Sequence, residues 1–164
     1  MKKFLCVAAS LLMAASLTAC GSKDEGKKDD GKASESKADV VMITDVGTID
    51  DKSFNQGTWE GVKAYGEETG KKVEYIKPTE KSDNAYKEAI DQAVNKYKAK
   101  VIVTSGYLFE PSIYEKQDTY PDVKFILIDG YPTDGSQDNA KFKTAKNTVG
   151  TKYSENEAGY MDGY

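Results

Sequence analysis

From residue 39 onward the chain alternates short apolar runs with longer polar stretches whose apolar residues recur at helical spacing. Val40-Val41-Met42-Ile43-Thr44 is a β-branched run ended by Asp45, and it predicts a first strand. A helix is expected from about Ser53 to Glu68, with Ser53 as N-cap and Trp59, Val62 and Tyr65 as its buried stripe. Gly57, Gly61 and Gly66 weaken that helix, each by up to about 1 kcal/mol against alanine. Val73-Glu74-Tyr75-Ile76 predicts a second strand, stopped before Pro78. Ser82-Asp83-Asn84 then caps a cleaner helix, with Ala85, Ala89, Ala93 and Tyr97 on one face and Ile90 and Val94 beside them.

The second half repeats the rhythm. Val101 to Thr104 predicts a third strand, and Pro111 suits the first turn of a short helix ending near Tyr120-Pro121. Val123 to Ile128 is a fourth strand, closed by Asp129-Gly130. Phe142 to Val149 reads as a fifth, more polar and nearer an edge, and a last helix starts near Ser154 and is still running at Tyr164. Strands alternating with helices require crossovers, hence a parallel sheet with helices on both faces. The apolar runs are nearly continuous, as strands covered on both faces should be. The predicted fold class is α/β, a doubly wound parallel sheet.

The first 38 residues follow other rules. Lys2 and Lys3 precede an apolar segment, Phe4 to Leu17, too short to cross a bilayer as a resident helix. It ends in Leu17-Thr18-Ala19-Cys20, which resembles the bacterial lipobox. Residues 1–20 are therefore expected to be a lipoprotein signal peptide and Cys20 the lipidated first residue of the mature chain. Residues 21–38, GSKDEGKKDDGKASESKA, hold no large apolar side chain and read as a disordered charged tether. Residues 39–164 are left as the folded domain.

Composition removes several kinds of chemistry. The chain has two cysteines, Cys6 and Cys20, and no histidine, so the folded part has neither thiol nor imidazole. Catalysis by either group and a zinc centre are excluded there. A net charge of −4, with lysines interleaved among acids, gives no reason to expect a nucleic-acid partner.

In doubly wound sheets ligands bind beyond the carboxyl ends of the strands. That rule gathers Asp45 with the loop 46–52, Ser53-Phe54-Asn55, Ser105-Gly106-Tyr107 and Asp129-Gly130-Tyr131. The loop DVGTIDDKS resembles a phosphate loop only superficially: Asp51 stands where the second glycine of a Walker motif belongs. Asp50 and Asp51 also crowd negative charge where phosphate would sit. No G-x-G-x-x-G follows the first strand. What remains is two carboxylates, an aromatic ring and an amide, which suit a neutral polar ligand with a flat face: a nucleoside or a sugar. Each residue also has a plainer role open to it, Asp45 as a helix cap, Phe54 as core, Asn55 as a solvated amide, and Tyr107 and Tyr131 as loop packing. Asp134 to Asn139, DGSQDN, lacks the spacing and closing glutamate of a calcium loop and reads as a polar turn. No metal or other cofactor is expected.

DVGTIDDKSFNQGTWEG, the IDG after the fourth strand and ENEAGYMDGY resemble the basic membrane protein family of bacterial lipoproteins, which includes PnrA-type purine-nucleoside receptors of ABC importers. The resemblance runs from about Asp39 to Tyr164. It implies a type I periplasmic-binding fold of two α/β lobes closing about a hinge, of which this sequence carries the N-terminal lobe, with the second missing. It further implies that Asp45 and Asn55 make polar contacts to the ligand, that Phe54 stacks on the base and that Asp129 holds the ribose, with Ser53, Gly106 and Tyr107 as further candidates. The implied function is capture of a purine nucleoside (guanosine, inosine or adenosine) for an ABC permease, by a non-enzymatic lipoprotein anchored through Cys20 to the outer face of the cell membrane. A sugar receptor or a sensor or surface antigen on the same scaffold stays open. So does a calcium-dependent nucleoside hydrolase, but it would need Asp45, Asp50, Asp51 and Asp129 on one ion.

Overall fold

The computed structural model describes residues 37–163; the expected signal peptide, nearly all of the tether, and Cys20 lie outside the described residues. Five strands form one parallel sheet: β1 (Val40–Ile43), β2 (Val73–Ile76), β3 (Val101–Ser105), β4 (Lys124–Ile128) and β5 (Thr148–Thr151), in the order β2-β1-β3-β4-β5. Between them run α1 (Phe54–Thr69), α2 (Asp83–Asn95) and α3 (Glu110–Thr119), the last entered through a 3₁₀ turn at Tyr107–Phe109, and α4 (Glu155–Asp162) follows β5.

Side-chain alternation along β1 divides the core. Val41 and Ile43 join Ile102, Phe125 and Leu127 beneath α2 and α3, where Ala85, Tyr86, Ala89, Ile90, Ala93 and Ile113 are buried. Val40 and Met42 face the other way, with Val103, against Val62 of α1. Helices thus lie on both faces, as in the doubly wound class, although on the α1 face Val101, Ile126 and Ile128 are only half-buried and line an open apolar groove. Chain order reverses between β1 and β3, so the crevice between their carboxyl ends is the switch point at which such sheets bind ligands. Ala38 is already fold rather than tether, because its side chain is buried in the larger core and its N–H donates to Tyr97 O at 2.8 Å.

Several sequence expectations shift. The fifth strand is displaced from 142–149 to Thr148–Thr151 because a side chain takes the place of a neighbouring strand for the segment before it. The buried amide of Gln117 donates to Lys143 O at 2.7 Å and accepts from Ala145 N at 2.9 Å. Asn147 then pins the entry to β5 by donating to the carbonyls of Gln117, Tyr120 and Val123. Phe142 keeps only an isolated antiparallel bridge to Thr133. β5 does lie at the sheet edge.

The buried stripe of α1 is also rotated. Asn55, Val62 and Gly66 face inward, Trp59 is half-buried against Tyr75, and Tyr65 is 48% exposed. Gly66 serves packing: a Cβ there would lie 2.7 Å from Val73 Cγ1. Ser53 occupies the N-cap position of α1 but its hydroxyl makes no cap bond. Ser82 caps α2 as expected, accepting from Ala85 N at 3.1 Å, and Pro111 sits in the first turn of α3.

Candidate functional site

The switch-point crevice is organised by Asn55, whose side chain is 3% exposed and uses both ends of its amide. Nδ2 donates to Asp45 Oδ1 at 2.7 Å and to Asp51 Oδ2 at 2.8 Å. Oδ1 accepts from Asp45 N at 3.3 Å and from the buried Ser105 hydroxyl at 3.2 Å. One side chain at the start of α1 therefore ties the end of β1 to the end of β3. The sequence reading made Asn55 a ligand contact; in this conformation its hydrogen-bonding capacity is taken up by the frame of the rim.

Gly47 is fixed by the same node. Its N–H donates to Asp45 Oδ1 at 2.6 Å, and a Cβ at this position would fall 2.5 Å from Asn55 Nδ2 and 2.8 Å from Asp45 Oδ1. The glycine of DVGTIDDKS thus gives room to an amide–carboxylate cluster, which is why a phosphate loop's first glycine stands there without its second. Asp45 Oδ1 receives two hydrogen bonds, whereas none reaches Oδ2 among the described residues.

Asp51 caps α1, the work expected of Ser53. Its Oδ1 accepts from Ser53 N at 2.8 Å and Gln56 N at 3.2 Å. Desolvation pushes the Asp51 carboxyl upward, but the Asn55 amide and the N–H groups of Gln56, Ser53 and Asn55 outweigh it and hold the group below its ordinary 3.8. A depressed carboxyl contributes stability above its unfolded value and loses it as pH falls through the folded one. We expect Asp51→Asn to melt below wild type at neutral pH and the gap to close on acidification below 3.8. Thermal melts of both chains across that range check it, and a gap that stays constant would refute the capping role.

Asp129 ends β4 in a left-handed conformation, φ 59°, and its Oδ1 is buried without a hydrogen-bond partner. Two costs meet in one residue: an unfavourable backbone for a residue with a Cβ and an unsatisfied buried oxygen. The turn is held on either side, since Gly130 N donates to Thr151 O at 2.8 Å and Tyr131 N to Glu110 Oε1 at 3.0 Å. Gly106, after β3, has φ 97° and ψ 156°, a region open essentially to glycine, and donates its N–H to Ile128 O at 2.8 Å.

The aromatic part of the rim is open. Phe54 is 47% exposed and tilts against Tyr153, ring centroids 6.1 Å apart. With Ser53, Gly57, Thr58 and Ile128 the two rings line a groove of about 430 Å³ next to Asp129 in sequence at Ile128. Tyr107 stands in solvent at the rim of β3. Sequence reasoning missed Ser105 as a bonding partner, Asp51 as the cap and Tyr153 altogether. The D-x-G spacing was a usable signal for the Asp45 cluster; Tyr153 had none, because it arrives from beyond β5. Among the described residues no group of carboxylates is arranged to hold a metal ion.

Solved solute-binding proteins of ABC transporter systems share this parallel α/β fold. The solute-binding protein of an ABC transporter system from Aeropyrum pernix matches 76% of this chain and 30% of its own with a TM-score of 0.59 at 25% identity. The chain belongs to the family described as ABC transporter substrate-binding protein PnrA-like, whose model matches residues 38–164. An uncharacterized lipoprotein of Pyrococcus abyssi is 32% identical over 124 residues, 76% of this chain and 28% of the relative. The ABC transporter nucleoside-binding protein BmpA of Lactococcus lactis is 25% identical over 169 residues, 99% of this chain and 44% of BmpA. This chain spans less than half the length of the curated relatives it matches.

Proposed function

We propose that this chain captures a purine nucleoside outside the cell membrane, held there by a lipid on Cys20, and delivers it to an ABC permease without chemical turnover. The observation that carries the reading is the unpartnered buried Oδ1 of Asp129, the residue that follows Ile128 in the lining of a groove walled by two exposed rings. A carboxylate oxygen with no donor of its own is suited to a ribose hydroxyl, and the rings offer a flat base a stacking face. The free Oδ2 of Asp45 supplies a second acceptor on the same rim. Ser53 lines the groove; Gly106 shapes the turn that carries Tyr107. The name of the Lactococcus relative is consistent with this ligand class.

The test is an NMR titration of the full chain in detergent micelles with guanosine, inosine, adenosine and ribose. We expect purine nucleosides to shift amides at Gly47, Gly106 and Gly130, and to be recovered intact afterwards. Asp129→Ala should weaken binding by about tenfold or more, since hydrogen bonds involving a charged group contribute about 1.5–3 kcal/mol. Shifts with ribose alone would make the chain a sugar receptor, and nucleoside binding indifferent to Asp129→Ala would remove the basis of the reading.

A further inference from the structure

Beside α1 the sheet face is an open trough of about 470 Å³, walled by Val101, Val103, Ile126 and Ile128 of the sheet and by Val62 and Tyr65 of α1. Val149 pairs in register with Ile126 and so shares that face; it is 58% exposed. The only polar side chains of the lining are Thr58 and Tyr65, and no lining residue is charged. A small-molecule site brings together a few polar groups that orient its ligand, which this lining does not offer. Parallel sheets are ordinarily covered by helices on both faces, so the surface suits a helix with an apolar side. The near wall has room for one. A Cβ added at Gly57 or Gly61 would meet nothing within 4 Å, although each glycine weakens the interior of α1.

The helix α4 has the complementary surface. It buries none of its residues, and Met161 is 75% exposed. Ala158 and Met161, three residues apart, share one side of the helix, with Tyr160 next to Met161. Its 8 residues span about 12 Å, within the length of about 17 Å of the 5-residue strand β4. Charge matches as well. The helix carries Glu155, Glu157 and Asp162, while Lys124, exposed at the start of β4, lies by alternation on the face of Ile126 and makes no ion pair among the described residues.

We propose that the trough is the seat of α4 from a second copy of this chain. Two copies exchange their helices about a two-fold axis, each helix lying between Tyr65 and Val149 of the other copy. Tyr65, Tyr153 and Tyr160 are each about half exposed or more, and at about 150–250 Å² per ring they offer about 300 Å². Val149, Met161 and the trough raise this toward the roughly 800 Å² per partner of a stable interface. The trough meets the groove of Phe54 and Tyr153 at Gly57, Thr58 and Ile128, so the incoming helix stands at the edge of the candidate site. The inference does not depend on which ligand that site takes.

Sedimentation equilibrium of the full chain in density-matched micelles should show monomer and dimer in exchange. Met161→Lys and Gly61→Gln should each weaken the dimer about tenfold or more, the first by charging the helix and the second by filling the trough. Neither change disturbs the single copy, since Met161 is exposed and the space at Gly61 is open. The expected signal segment is the same in wild type and variants, so association through it would not respond. In a mixture of differently labelled copies, intermolecular NOEs should join the Met161 methyl to methyls of Ile126 and Val149. A monomer at every concentration overturns the inference, as does a dimer indifferent to both substitutions. NOEs confined to one copy also overturn it, by showing that α4 folds onto its own trough.

Discussion

Replacing Asn55 by leucine is expected to lower the melting temperature by about 10 °C, the equivalent of about 3 kcal/mol in a domain of this size. The two side chains are close in volume, so the core of α1 is not emptied. What is lost is a node with two donations and two acceptances. Asp45 Oδ1 and Asp51 Oδ2 both contact Asn55 Nδ2, at 2.7 and 2.8 Å, and would face one another with no donor between them. The Ser105 hydroxyl, 3% exposed, would be left without its acceptor. Removing one partner from a buried polar pair costs about 1–3 kcal/mol per stranded group, and here water can reach the carboxylates but not the serine. Thermal unfolding followed by circular dichroism is the measurement, and a loss under about 2 °C would mean that the node holds the rim without supporting the fold.

Gly106→Ala should destabilise by about 2 kcal/mol for a different reason. Nothing lies within 4 Å of the position a Cβ would take, so the penalty contains no clash. It comes from φ 97° with ψ 156°, which an L side chain rarely adopts. To relieve it the chain must turn at Gly106, breaking the bond to Ile128 O and moving Ser105 away from Asn55. Denaturant unfolding should show a lower midpoint at unchanged slope. An unchanged midpoint would show that the turn after β3 tolerates another backbone conformation and does without the bond to Ile128 O.

Much of this architecture was legible before any coordinates. Val40 to Ile43 and Val101 to Thr104 announce themselves because a strand buried on both faces must be apolar throughout, whatever its neighbours are, and Val73 to Ile76, at the sheet edge, is marked by its β-branched and aromatic residues. The α2 pattern of Ala85, Ala89, Ile90 and Ala93 was equally clear, since four-residue spacing has one geometric meaning. The rim followed from topology: alternate strands and helices order the sheet, and the order fixes where carboxyl ends meet an open crevice. β5 was misread for the reverse reason. The pairing capacity of Lys143 and Ala145 is met by Gln117, a side chain twenty-six and twenty-eight residues away. No local periodicity carries that information.

The site divides in the same way. The sequence by itself determined the residue types available, Asp45, Phe54, Asn55 and Asp129 at strand ends and a helix start, together with the absence of thiol and imidazole from the folded part. Only tertiary structure decided their offices. Asn55 became the frame because β3 brought Ser105 to its other side; Phe54 stayed exposed and met Tyr153 because the segment that follows β5 reaches the start of α1. Asp129 was left with an unpaired oxygen because its turn is set by Gly130 and Tyr131 rather than by its own side chain. Local sequence fixes period and chemistry through short-range sterics and solvation. Which polar atom remains without a partner depends on groups distant along the chain, and that is settled only when the sheet has closed and the helices have packed.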